Sequence, residues 1–153
     1  SVVKYANNRK IWRNLQNTFP HPYTTEDAEA WIELTLTDEA HQYHFVIDRE
    51  GECIGAAGLI PKSDVHRKTV EIGYWIGEPF WGLGYASEAV ALSSAFAFAE
   101  LDVARIEACV YEWNPASGRV LEKNGFEFER RHRNAVYKDG ELIDKLVYGK
   151  VRP

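Results

Sequence analysis

The chain has only two cysteines among its 153 residues, Cys53 and Cys109. Both lie in apolar, strand-like runs, where they read as small buried hydrophobes rather than a disulfide or a nucleophile. No apolar run approaches the roughly 18 residues needed to cross a bilayer. Nor does the chain open with a charged start and an apolar core, as a secretion signal would. A cytoplasmic location with no membrane partner is therefore expected. Basic residues are outnumbered, 18 Lys and Arg against 23 Asp and Glu, for a net charge of −5. A nucleic-acid surface needs a basic patch, so no nucleic-acid partner is expected. Mild acidity suits a cationic substrate such as an amine. Linkers, repeats and low-complexity stretches are also missing, and this length fits one domain, residues 1–153.

What remains is an alternation of short elements. Val2 to Leu15 is helical in tendency and broken near Asn7-Asn8. Pro20 and Pro22 make 18–24 a loop. Thr24 or Thr25 caps a helix to about Thr37, with Glu26 and Asp27 in its first turn. Strands are expected at Tyr43–Asp48, Cys53–Ile60, Thr69–Ile76 and Arg105–Tyr111. Ala86–Glu100 is apolar nearly all round, which predicts a helix packed on a sheet. A short helix spans Pro115–Asn124, with Asn114 as N-cap, Pro115 at its first position and Gly125 closing it. Phe126–Ala135 and Leu142–Lys150 form a final hairpin with a type I′ turn at Lys138-Asp139-Gly140-Glu141. The fold class is mixed α/β (α+β), a largely antiparallel sheet flanked by helices. Ser1 to Ala6 reads as the middle of a helix with nothing to start it, so a preceding segment is expected to be missing unless the domain begins abruptly.

Chemistry concentrates in the strand–loop–helix from Glu71 to Ser87. Glycines ahead of a helix let the backbone approach an anion, and the helix's unpaired N–H groups then point at it. A phosphate or pyrophosphate suits such a place, although Gly-x-Gly alone equally serves a tight turn. A dinucleotide fingerprint would need a third glycine where Ser87 stands. Asp102, at a tempting distance, precedes the next strand as a turn residue would. A Walker-type loop would need Gly-Lys-Ser/Thr, which is absent.

Tyr74-Trp75-Ile76-Gly77 through Trp81-Gly82-Leu83-Gly84-Tyr85-Ala86 resembles the acetyl-CoA loop of the GNAT acyltransferase superfamily, and within it the RimJ/RimL-type N-acetyltransferases. A second match follows: Asn114-Pro115-Ala116-Ser117 opening a helix, then Glu122-Lys123-Asn124-Gly125-Phe126. The resemblance covers about 23–147 and implies two neighbouring strands that splay apart, with the first strand of the family missing ahead of Ser1. It implies acetyl-CoA as cosubstrate, with its pantetheine arm hydrogen-bonded to Ile76 and its neighbours. Backbone N–H groups of Leu83 to Ser87 would hold the pyrophosphate, in the loop Gly82, Leu83, Gly84, Tyr85, Ala86 and Ser87. Trp81 stands where many members have Gln or Arg, and where Rim-type chains often carry an aromatic.

The resemblance also assigns roles. Glu71 is the candidate general base, or else a solvated strand carboxylate. Ser117 corresponds to the Rim-type serine that meets the cofactor sulphur, or else serves the helix's first turn. Asn114 could contact pantetheine while capping its helix. Leu121 occupies the position of the superfamily's frequent acid tyrosine, so that tyrosine cannot be the acid here. Lys123 could reach phosphates or complement the helix dipole. The run Phe19-Pro20-His21-Pro22-Tyr23 lines an acceptor entrance or simply packs. His41-x-x-His44 has a metal-like spacing without a third ligand nearby, so no metal is expected. The implied acceptor is an amine, either a ribosomal-protein N-terminus or a small molecule such as a polyamine, aminoglycoside or amino acid. A homodimer is compatible with the resemblance. The competing reading is a non-catalytic acyl-CoA-binding regulatory module.

Overall fold

The computed structural model describes residues 1–37 and 41–153. It begins with two short helices, α1 (Val2–Ala6) and α2 (Arg9–Trp12). The break between them has a local cause, because the Asn8 side chain turns back to accept from the Lys10 N–H at 2.8 Å and restarts the helix. Helix α3 (Thr25–Thr35) starts on a capping box, with Thr24 and Asp27 each bonding the other's backbone.

Six strands follow: β1 (Tyr43–Arg49), β2 (Glu52–Pro61), β3 (Thr69–Ile76), β4 (Arg105–Tyr111), β5 (Glu127–Lys138) and β6 (Glu141–Val151). Helix α4 (Tyr85–Glu100) connects β3 to β4, and α5 (Pro115–Lys123) connects β4 to β5. The strands form one open sheet in the order β1-β2-β3-β4-β6-β5. Every neighbouring pair is antiparallel except β3 and β4, whose helical crossover makes them parallel. At the β5–β6 turn, Asp139 and Gly140 have φ of 53° and 78°, as a type I′ turn requires.

Period-two patterning decides which way each central strand faces. Val70 and Ile72 of β3, with Ile106, Ala108 and Val110 of β4, face α4 and α5 and build the main core with Leu59, Val90, Ala97, Leu121, Phe126 and Tyr148. Helix α4 seats on the sheet through Ala89, Val90, Ser93, Ser94 and Ala97, small residues at helical spacing that allow close approach. Its apolar character continues round to the outer side, where Leu92 is exposed. Tyr5, Ala6, Tyr23 and Ala28 from the N-terminal helices and the loop before α3 form two further clusters with Ile54, Ile76 and Trp75. No helix among the described residues is long and apolar enough to cross a membrane.

One contact fixes how closely β2 and β3 lie. A Cβ built on Gly55 would sit 2.3 Å from the Trp75 carbonyl oxygen, a backbone atom that cannot swing aside. Gly55→Ala should therefore lower unfolding free energy by about 1–3 kcal/mol, the usual cost of overpacking. Thermal denaturation measures this, and an unchanged midpoint would show that the strands can separate freely there.

Candidate active site

The parallel ladder between β3 and β4 has three rungs, Thr69–Arg105, Val70–Ile106 and Glu71–Glu107, and then stops. Beyond it the strands diverge, although β3 stays paired with β2 as far as Ile76. The Gly77 N–H bonds the Ile54 carbonyl at 2.7 Å. By antiparallel alternation, this makes Gly55–Ile76 a pair without mutual hydrogen bonds. The backbone groups of Ile72, Tyr74 and Ile76 are thereby turned toward the splay. Trp81 closes part of this edge, its indole Nε1 donating to the Ile76 carbonyl at 2.7 Å.

The splay opens into a cleft of about 830 Å³ that passes from one face of the sheet to the other. Ile76, Trp81, Gly82, Gly84, Tyr85, Ala86, Ser87, Asn114 and Ser117 all line it. Leu83 does not line it and projects outward, largely exposed, so whatever it offers is backbone. Gly84 is the N-cap of α4 at φ 90°, a left-handed conformation that suits glycine. The first bond of the helix runs from the Glu88 N–H to Gly84. Tyr85, Ala86 and Ser87 therefore have N–H groups with no partner inside the helix, at the positive end of sixteen aligned residues. Lys123 borders the same cleft, and Asn124 Nδ2 donates to Ser87 Oγ at 3.1 Å, linking α5 to the start of α4.

Asn114 sits at the N-cap of α5, but its side chain makes no capping bond. The helix start is served by backbone instead: the Ser117 N–H bonds the Asn114 carbonyl at 3.2 Å, and Pro115 has no N–H to satisfy. The expectation of a side-chain cap is thus corrected, and the carboxamide is left for the cleft. Ser117 Oγ lies 2.7 Å from Tyr74 Oη, across the splay. Burial pushes the Tyr74 phenol up to about 12, so it stays protonated. Leu121 is fully buried in the core and carries no group that could act as an acid.

Glu71 is on the last paired rung, facing away from α4 and α5 and outside the lining of the cleft. Its carboxylate, the Glu107 carboxylate and Cys109 Sγ lie within 4.8 Å of one another, the one such cluster among the described residues. Glu107 is committed to Lys62 at 2.6 Å and Arg105 at 3.1 Å. Burial pushes its pKa up, but these two cations pull it below the usual carboxylate range. Glu71 has no ion-pair partner among the described residues. Cys109 corrects the expectation of a small buried hydrophobe, since it is half-buried and borders the cleft. Burial raises its thiol, so it remains neutral.

Other sequence candidates lie apart. His44 packs edge-on against Trp31, its pKa lowered by burial. Phe19 packs on Tyr23 and Trp75, with ring centroids 4.9 and 5.8 Å away, so that loop buttresses the cleft wall formed by Trp75. The contact of Tyr74 with Ser117 is not foreseen by the sequence. Tyr74 is visible there only as one letter of a motif, and nothing in the spacing joins it to Ser117, 43 residues on.

The sequence profile of the acetyltransferase (GNAT) domain family matches residues 1–127. A putative ribosomal N-acetyltransferase of Bacillus subtilis, YdaF, is 33% identical over 131 residues, 82% of this chain and 71% of that protein. Two solved structures share the fold. One is the ribosomal L7/L12 alpha-N-protein acetyltransferase RimL in complex with coenzyme A (TM-score 0.85, 20% identity, 98% of this chain and 86% of that one). The other is spermidine N-acetyltransferase from Vibrio cholerae in complex with CoA and spermine (TM-score 0.80, 23% identity, 98% and 87%). With the splayed strands, the glycine-started helix and these matches together, the chain belongs to the GNAT acetyltransferase family and is an acetyl-CoA-dependent N-acetyltransferase.

Proposed function

We propose that this enzyme transfers the acetyl group of acetyl-CoA to a primary amine by direct attack on the thioester. The observation that carries this reading is the three-rung β3–β4 ladder. Two inner strands with inward-turned, unpaired backbone groups are costly unless something bonds them. An extended amide-bearing arm, running in like an added strand, does so. The residues present suit that guest from end to end. The free N–H groups of Tyr85, Ala86 and Ser87 would hold the pyrophosphate, and the backbone of Tyr74 and Ile76 would hold the arm. Trp81 fixes the Ile76 carbonyl, and Asn114 and Ser117 line the opposite wall.

Acetyl-CoA supplies the activated acyl group, a thioester whose leaving group is a thiol. An amine must shed a proton before or during attack, and Glu71 is the uncommitted carboxylate on the sheet face away from α4 and α5. It would take that proton directly or through one water. Ser117 would donate a hydrogen bond to the sulphur as negative charge gathers there. A primary amine as acceptor is supported by the names of RimL and the Vibrio cholerae enzyme, which act on a protein α-amine and on spermidine.

Calorimetric titration with CoA tests the donor assignment. Gly84→Val puts a β-branched side chain at φ 90° and should weaken binding at least about 10-fold, or about 1.4 kcal/mol. Unchanged affinity would remove the α4 N-terminus from the site. Release of free thiol across a panel of amines tests the chemistry. Glu71→Gln should lower kcat/KM about 100-fold, the scale of one placed base, with CoA affinity retained. A wild-type rate would leave Glu71 a solvated strand residue.

A further inference from the structure

We propose that Tyr74 is a positioning residue for the departing thiolate: its phenol donates to Ser117 Oγ and so frees the serine's own proton for the sulphur. This rests on the reading of Ser117 as the hydroxyl that meets the cofactor's sulphur.

Tyr74 belongs to β3, whereas Ser117 lies in the first turn of α5, the helix entered from β4. Their 2.7 Å contact therefore bridges the two walls of the splay just where the ladder between them has ended. A phenol has one proton to give. Two acceptors lie within its reach, Ser117 Oγ at 2.7 Å and the Ser117 carbonyl at 3.4 Å. The carbonyl stands in the first turn of α5, where helical geometry aims the N–H four residues on at it. The shorter contact, to Oγ, takes the phenol proton. A serine hydroxyl that accepts one bond still has its own proton to donate. Free rotation about its Cβ–Oγ bond is removed, and that proton is left with the cleft.

Tyr74 does not itself supply a proton, because the buried phenol remains protonated throughout the working range. In the transfer, the amine nitrogen bonds to the acyl carbon and the carbon–sulphur bond breaks with its electron pair on sulphur. The amine's proton passes to Glu71 and from there to solvent. The thiolate, held meanwhile by the Ser117 hydroxyl, is finally protonated from solvent, so protons balance. Tyr74 thus acts through Ser117, and removing its oxygen should imitate part of the loss of Ser117.

The test reads the bound thiol itself. CoA is held on the purified enzyme and its thiolate absorbance is followed against pH for wild type, Ser117→Ala, Tyr74→Phe and the double variant. Ser117→Ala should raise the bound thiol pKa by about one unit, the worth of a hydrogen bond to a charged group. Tyr74→Phe should raise it in the same direction by less. The double variant should match Ser117→Ala alone, since the two act in series. Turnover should fall with the thiol shift while KM for the amine holds. Tyr74→Phe removes one oxygen and keeps the ring in the core, and a thermal melt together with CoA affinity checks that the fold is intact. If Ser117→Ala shifts the thiol and Tyr74→Phe leaves both thiol pKa and kcat at wild-type values, the positioning role is overturned and the reading of Ser117 stands. If neither variant moves the thiol, the reading of Ser117 falls, and the positioning role with it.

Discussion

The short ladder between β3 and β4 is the constraint on which the rest of the structure depends. Each strand is held firmly on its outer side, β3 by seven residue pairs with β2 and β4 by seven with β6. Between them the pairing ends at Glu71–Glu107. Closing the remaining edge would satisfy several backbone groups, so the strands must be kept apart by packing. Two features do this. Gly55 lets β2 lie close against the backbone of β3 at Trp75, so that β3 is held on the β2 side. Ile54, Ile76 and Phe80 then pack with Tyr5, anchoring the far end of β3 on the N-terminal helices rather than on β4.

The divergence also sorts chemistry by face. The side toward α4 and α5 carries Tyr74 and Ser117, in contact with each other and backed by the main core. The opposite side carries Glu71, Cys109 and Tyr111, and three cationic or anionic neighbours, Lys62, Arg105 and Glu129, are already paired around Glu107. Ser117 and Glu71, the residues proposed for the leaving thiol and the amine proton, thus lie on opposite sides of one sheet. Trp81 joins the two ends of the site through its bond to Ile76, which explains why a residue of the loop bears on the geometry of the strand.

Much of this was legible in the sequence because it is local. Strand limits at Thr69–Ile76 and Arg105–Tyr111, the glycine-started helix and the Thr24 cap all follow from residue order and turn chemistry. What escaped is what only folding brings together. Asn114 has the right identity for a cap, yet the local backbone turn does the capping and frees its side chain. Cys109 lies in an apolar run, but the splay opens its flank to the cleft. Lys138 belongs to a polar turn sequence, yet it is 2% exposed, donating to Asn17 at 2.8 Å with its ammonium over the Trp12 ring. The Tyr74–Ser117 bond joins two elements that share no sequence signal, and no spacing rule would have found it.

We propose that the cosubstrate's arm completes the interrupted sheet between β3 and β4. A two-dimensional amide NMR titration with CoA tests it residue by residue. The amides of Tyr74, Ile76, Tyr85, Ala86 and Ser87 should shift most and gain protection from hydrogen exchange, while those of β1 and the β5–β6 turn stay fixed. Largest changes at β1 or the β5–β6 turn, with Tyr74 and Ile76 unmoved, would contradict it.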